Sequence, residues 1–389
     1  MIYLDCAATT KIDENVMIKT KESVMKYYGN PSSQYSLGKE TRKLIENARK
    51  EIADYINAKP EEIIFTSGGT ESDNLAIKGV ALANPDKKHI IVSNIEHPAV
   101  LETCRFLENQ GYKIDYLKAD KEGLVNPKEL EKLIKKDTLI VSVMHVNNEI
   151  GTIQPIKEIG KICRNKKVYF HTDAVQSFCK VKINVNEMNI DLLSVSGHKV
   201  NAPKGIGFLY VRNGVEIEPI QHGGGHERGL RSGTENTPGI IGLAEALKLK
   251  RENTKEIRDY MIKEILKIPG SRINGSLKQR VDGNINVSFY GIEGESLMLM
   301  LDSEGICVST GSACNSHKLQ HSHVLEAIGV DELYINGSIR MSFDKLSKQE
   351  ADFVIEKLNE KVAKLREMSP FKLDKKSVKE AKRIEWSEH

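Results

Sequence analysis

Apolar residues recur along this chain with two spacings, one helical and one strand-like, and the two alternate. Residues 15–58 carry a helical pattern, broken at Tyr28-Gly29-Asn30-Pro31-Ser32-Ser33. Within 41–56, Leu44, Ala48, Ile52 and Ile56 share one face. Short apolar runs at 62–65, 89–94, 137–146 and 168–171 predict strands, and the helix after the first turns Ala76 and Ile77 inward. Residues 191–211, DLLSVSGHKVNAPKGIGFLYV, predict a strand through Leu192, Leu193 and Val195, then a polar knot at Ser196-Gly197-His198-Lys199. A Gly/Pro-rich turn at 203–207 and a second strand at 208–211 follow. Further on, a long connecting helix is predicted at 240–257, a strand at 284–290 and a helix at 295–302. The alternation predicts an α/β fold.

Several polar groups interrupt this pattern where chemistry would need them. Lys199 stands between two apolar strands. It is either a solvated hairpin tip or a buried amine, and buried lysines lose charge readily to become the nucleophiles that Schiff-base chemistry requires. Thr66-Ser67-Gly68-Gly69-Thr70-Glu71 joins a strand to a helix. Small residues there let backbone amides converge on an anion, although an ordinary helix cap looks alike. His97 follows a strand, where open α/β sheets bind ligands, and reads equally as a hydrogen-bonded loop histidine. Asp173 emerges from an apolar strand and needs a partner: a pyridinium nitrogen, or the amides of a helix starting near Ala174. Gly223, Gly224 and Gly225 suggest close backbone approach or a linker. Cys314 lies in a small, polar loop, the exposed setting of a reactive thiol. Cys104, Cys163, Cys179 and Cys307 have apolar neighbours and read as core. Cys314, His317, His321 and His323 have a spacing that could gather zinc, but solvated loop histidines are the favoured reading, and no metal is expected. Arg340 offers a fork that suits a carboxylate, or is a surface arginine.

Composition narrows the function classes. At 389 residues the chain predicts two domains. A net charge of +3 with 29% charged residues favours neither nucleic acid nor a membrane surface. The apolar runs are strand-sized rather than membrane-spanning, and the first residues lack the regions of a signal peptide, so a cytoplasmic protein with reduced thiols is expected. The lysine-rich stretch from Phe371, with the single Trp386, reads as a solvated tail.

The motifs YLDCAATT, TSGGTE, EHP, NNEIG, TDAVQ, SGHK followed by PKGIGFLYV, and STGSAC with a downstream SHVLEAIG fall in one order. Together they resemble the cysteine desulfurases, pyridoxal-phosphate (PLP) enzymes of the class-V aminotransferase family, in their longer-looped class. The resemblance implies an α/β PLP-dependent transferase fold (aminotransferase fold type I). A large domain at 15–257 would hold a mostly parallel seven-stranded sheet between helices. Residues 1–14 with 258–368 would form a smaller α+β domain bearing the reactive-cysteine loop, and 369–389 a tail. Lys199 would carry the cofactor and shuttle the substrate α-proton, and Cys314 would take the sulfur of L-cysteine as a persulfide, releasing alanine. His97 would stack on the ring and assist. Gly69 and Thr70 would hold the phosphate, Asp173 the ring nitrogen and Gln176 the ring hydroxyl, with Ser196 and His198 also at the cofactor. Asn148 would sit near the ring hydroxyl and the substrate carboxylate, which Arg340 would bind. Thr234 would reach the phosphate of a second subunit, implying a homodimer with shared active sites. A sulfur acceptor such as an iron–sulfur scaffold, or a tRNA-thiolation relay, would complete the path. Selenocysteine lyase or another PLP-dependent transferase is the alternative on this scaffold, and a non-catalytic sulfur- or metal-binding scaffold the remote one. Cys6 stands where the family usually has Asn, so it would put a second thiol near the site.

Overall fold

The computed structural model describes residues 1–310 and 321–373. In chain order the first half contains β1 (Ile2–Tyr3), α1 (Glu14–Lys26), α2 (Ser36–Ile56), β2 (Ile63–Thr66), α3 (Gly69–Ala83), β3 (His89–Ser93), α4 (Pro98–Glu108), β4 (Lys113–Leu117), α5 (Pro127–Leu133), β5 (Thr138–Ser142) and α6 (Ile156–Lys166). Then come β6 (Tyr169–Asp173), β7 (Leu192–Ser196), β8 (Gly207–Val211), α7 (Thr237–Ala246) and α8 (Lys255–Ile265). The last part contains β9 (Ser271–Ile273), β10 (Asn284–Phe289), α9 (Gly294–Asp302), β11 (Ile306–Cys307), β12 (Ser309–Thr310), α10 (His323–Ala327), α11 (Glu332–Ile335), β13 (Ser338–Ser342) and α12 (Lys348–Met368).

Seven strands form one sheet in the order β2-β8-β7-β6-β5-β3-β4. Pairing is parallel from β7 through β4, while β8 runs antiparallel to both β7 and β2. Strands such as β2, β3, β5 and β7 are buried along their whole length, because helices cover both faces. Ile63, Phe65, Val141, Phe170, Leu193, Val195 and Phe208 enter the core on one face, together with α2, α6 and α7. Ile64, Ile90, Val92, Ile140, Leu192 and Leu209 enter the other, with α3 and α4. Each fully buried Ile or Phe contributes about 1.5–3 kcal/mol by leaving water. The strand that carries charge along its length, β4, sits at the sheet edge, where charge blocks further pairing.

A second, antiparallel sheet runs β12-β13-β10-β9. Its core joins Leu4 to residues of α8, α9, β10, β13 and α12. The N-terminal strand β1 pairs in parallel with β11, and the chain then crosses to the large sheet. The long helix expected at 240–257 is two helices, α7 ending at Ala246 and α8 starting at Lys255. Arg251, between them, turns its guanidinium onto the carbonyls of Val200 and Ala246 and so ties the break to the lysine turn.

Gly207 starts β8 where the strand passes under the β2–α3 connection. A Cβ there would lie 2.3 Å from the Val195 carbonyl oxygen and 2.7 Å from Gly68 Cα, both backbone atoms that cannot swing aside. Gly207→Ala is therefore expected to destabilise the protein by about 2–4 kcal/mol, while an exposed Gly225→Ala, with nothing within 4 Å, stays within about 0.5 kcal/mol. Thermal or denaturant unfolding of the two variants checks this, and equal stabilities would refute the packing argument.

Candidate active site

The parallel strands deliver their C-terminal ends to one edge of the sheet, and the chemistry gathers there. After β7, Gly197 donates to the Ile206 carbonyl (2.9 Å), a single turn spans Gly197–Lys199, and Asn201 takes a left-handed φ of 65°. This tight turn aims Lys199 back over the sheet. Its half-buried ammonium donates to the carbonyls of Ala7 (2.7 Å) and Ala8 (2.6 Å), so it is no solvated hairpin tip. The neighbouring His198 fixes the same N-terminal segment: its carbonyl accepts from Thr10 N–H and Oγ1, and its Nδ1 lies 3.1 Å from Thr9 Oγ1.

Next to it, β2 runs into α3 through Ser67 and Gly68. Gly68 has a φ of 153°, a conformation side chains avoid. A Cβ on Gly69 would strike Val175 Cγ2 at 2.7 Å, and one on Gly68 would lie 3.4 Å from the hydroxyl of the buried Ser196. The first-turn amides of α3 lack intrahelical partners and point into this cradle, with Thr70 exposed at its rim. Thr234 is exposed as well, on the loop that Arg231 pins to Glu71 of α3 (2.8 Å).

Asp173 closes β6 and is 4% exposed. Burial pushes its carboxyl up to about 6 against the pull of the Val175 N–H and the Lys199 charge. The residues after it form successive turns instead of the helix expected near Ala174, and Asp173 Oδ1 accepts from Val175 N–H at 2.8 Å. Gln176, also buried, donates to the Ala7 carbonyl (2.9 Å), the oxygen that Lys199 uses. His97 caps α4, its Nδ1 accepting from the Ala99 amide at 3.1 Å. Burial, the Lys199 charge and His323 lower its pKa to about 4. The ring is thus neutral at pH 7 with its proton on Nε2. Of the asparagine pair after β5, Asn147 is spent structurally on the Ile95 carbonyl and the Glu149 and Ile150 amides, leaving Asn148 the more exposed. Arg340 is buried in β13, not on the surface. Its fork donates to Asp5 Oδ1 (2.8 Å) and the Asn148 carbonyl (3.1 Å), while its Nε has no hydrogen-bond partner among the described residues.

Cys314, His317 and the tail from residue 374 lie outside the described residues. His321 faces Glu326 at 3.6 Å and His323 donates to the Glu96 carbonyl at 3.0 Å. No group of three potential metal ligands occurs among the described residues. One thiol assignment changes. Cys307 is half-buried, on short β11 near Asp302, rather than core. Cys6 does adjoin the site through Ala7 but is itself buried, its thiol pushed up to about 12 by burial and the Asp344 charge.

The class-V aminotransferase profile matches residues 2–352. The chain is 52% identical over 378 residues to the cysteine desulfurase IscS of Methanosarcina thermophila, covering 95% of this chain and 94% of that protein. The solved structure of a NifS-like protein superposes with a TM-score of 0.88 at 38% identity, covering 94% of this chain and all of that one. A structure described as SspA in complex with cysteine gives 0.82 at 39% identity over 88% of this chain and 99% of that one. The chain belongs to the cysteine desulfurase family of class-V aminotransferases. PLP is the cofactor of that family, and the expected α/β fold with a mostly parallel seven-stranded sheet holds.

Beneath the residues that the desulfurase motifs mark lies a layer that no motif announced. Asp73 of α3 is 1% exposed, and its Oδ1 stands 3.5 Å from His171 Nε2 without a hydrogen bond. Burial and the Asp173 charge raise its pKa well above the usual carboxylate range. Glu96 has one carboxyl oxygen bonded to the Ser93 hydroxyl and the Met144 amide (2.7 Å) and the other without a partner. Burial pushes it up to about 8, against those bonds and with the Asp173 charge. The unfolded chain releases this proton above about pH 4.5 and the folded one keeps it to about 8, so stability is full below 4.5 and falls as pH rises between the two. Glu96→Gln keeps the acceptor oxygen and has no proton to lose. It is expected to stabilise the protein by about 3 kcal/mol at pH 7 and by almost nothing at pH 4, seen as a melting-temperature increment that grows with pH. An increment independent of pH would contradict it.

Proposed function

We infer that this chain is a cysteine desulfurase that takes the sulfur of L-cysteine onto its own thiol and releases L-alanine. The observation that carries the reading is Lys199, held at the sheet edge between the α3 cradle and the buried Asp173. The residues present fit PLP: the cradle with no room for a Cβ on Gly69 suits the phosphate, and a buried carboxyl with no cationic hydrogen-bond partner among the described residues suits a protonated ring nitrogen. Gly69, Thr70 and Ser196 would hold the phosphate, Asp173 the nitrogen, Gln176 the ring hydroxyl, with His97 against the ring. When bound, PLP supplies an electron sink for the carbanion at the substrate α-carbon.

The protein's own groups do the rest. Lys199 carries the proton at the α-carbon. Neutral His97 offers its Nε2–H as a proton donor. Asn148 and Arg340 orient the substrate carboxylate. The incoming carboxylate competes with Asp5 for the Arg340 fork. The Cys314 thiolate attacks the substrate sulfur: an S–S bond forms, the C–S bond breaks, and the enzyme keeps a persulfide while the carbon skeleton leaves as alanine. The cores separate in a way that supports a large cofactor domain at 15–257 and a smaller one formed by 258–368 with 1–14. Two copies would pair, Thr234 of each reaching the other's phosphate. Thr234 is exposed, and Met17, Ile18, Met25, Tyr28 and Tyr35 leave apolar surface on α1 and its connection to α2. An iron–sulfur scaffold is the proposed acceptor.

Borohydride reduction of the yellow protein should fix the cofactor to the peptide bearing Lys199; label on Lys204 instead would overturn the assignment. Cys314→Ser should keep the cofactor spectrum and its response to L-cysteine yet lose alanine and sulfide formation by about 10²-fold or more, since a hydroxyl is a poor sulfur acceptor. Full turnover in Cys314→Ser would refute the role of that thiol.

A further inference from the structure

Two residues beside the site are unused by the mechanism above, and both contact its immediate chain neighbours. His323 begins α10 and donates its Nε2–H to the Glu96 carbonyl at 3.0 Å, the oxygen of the peptide unit that supplies His97 with its amide nitrogen. The other end of Glu96 is already fixed, because its carboxyl bonds Ser93 and the Met144 amide. Ser322, the cap of α10, donates to Glu149 Oε2, and Glu149 follows Asn148. The Glu149 carbonyl accepts from Asn286 (3.2 Å) and Asn284 (3.4 Å), and the Asn148 carbonyl accepts from Arg340 (3.1 Å). The peptides flanking both pocket residues are thus gripped from several directions.

The apolar contacts around this seam are separate from it. Ile95 and Ile150, one residue beyond Glu96 and Glu149, pack with Val324, Leu325, Ile328 and Tyr334 in a small core of their own. That core holds α10 and α11 against the large sheet. The directional bonds of Ser322 and His323 add orientation to it: His323 holds the Glu96 carbonyl and with it the peptide plane ahead of His97, and Ser322 holds the side chain of Glu149, the residue after Asn148.

Resting on the roles assigned above to His97 and Asn148, we propose that Ser322 and His323 are positioning residues with divided duties. His323 sets the peptide plane ahead of His97 and so governs proton donation, and Ser322, by anchoring the side chain of Glu149, sets the segment after Asn148 and so governs hold on the substrate carboxylate. The two neighbours act on different kinetic parameters. A purely structural role, through the shared small core, would move stability and both parameters together.

The test uses the holoenzyme with L-cysteine and follows alanine release, cofactor absorbance and melting temperature in Ser322→Ala, His323→Leu and His323→Gln, with His97→Ala and Asn148→Ala as references. Ser322→Ala is expected to raise KM about 5–10-fold with kcat within twofold, and His323→Leu to lower kcat about 10-fold with KM within twofold. His323→Gln, which can donate an amide N–H to the same carbonyl, should recover most of kcat. All should keep the cofactor absorbance of the parent. The proposal fails if the references behave as assigned while His323→Leu and Ser322→Ala leave both parameters alone, or shift both alike. It also fails if His323→Gln gives no rescue. Should His97→Ala leave kcat or Asn148→Ala leave KM unchanged, the pocket roles themselves fall and the proposal with them.

Discussion

Lys199 depends on a chain segment from the other end of the sequence. Lys199 is aimed by the turn after β7, but what it meets there is the backbone of Ala7 and Ala8, and Gln176 shares the Ala7 oxygen. These carbonyl dipoles help hold the Lys199 side chain in place. For that to work, the first ten residues must be fixed at both ends. Ile2 and Leu4 pair with β11, Cys6 and Ala7 bond Ser342, and Thr10 bonds His198. The segment therefore ties the small antiparallel sheet to the large one across the site, and Arg340, through Asp5, clamps its middle.

The same sheet edge collects groups that are costly to bury. Asp73, Glu96, Asp173 and Glu149 are all buried with raised pKa values, while the half-buried His97 and the buried His145 and His171 are kept neutral. No strand interior needs this arrangement for stability; apolar residues would pack as well. It is intelligible as an environment of low dielectric around Asp173, whose charge adds to burial in raising Asp73 and Glu96.

Much of this was legible in the sequence. Fully apolar runs marked the central strands, since helices cover both of their faces, and the glycine-bearing connection and the knot at Lys199 broke those runs abruptly. The failures have physical causes. At 240–257 the apolar spacing through Leu247 and Leu249 continues as if helical, but both only pack from the break onto the core of α7, and Arg251 satisfies the Ala246 carbonyl that a continued helix would have used. After Asp173 the capping bond is present without the helix, and sequence cannot distinguish a capped turn from a capped helix. Asp73 and Glu96 were missed because hydrophobic periodicity does not reveal that a charged residue sits on the inner side of a helix or at the end of a buried strand. His323 was read only as one member of a histidine cluster. Its actual partner, a main-chain oxygen of residue 96, leaves no mark in composition.

The burial of the cysteines has a consequence for an enzyme that handles sulfane sulfur. Such sulfur migrates to whichever nucleophilic thiolate it meets, so a desulfurase is surrounded by its own decoys. Cys104 and Cys163 are wholly enclosed, and Cys6 and Cys179 nearly so; burial raises all four thiols, those of Cys6 and Cys104 to about 12. Enclosed and held as thiols, these four are poor nucleophiles at neutral pH. The packing that makes them ordinary core residues thereby acts as insulation, keeping the cargo from being lost inside the carrier.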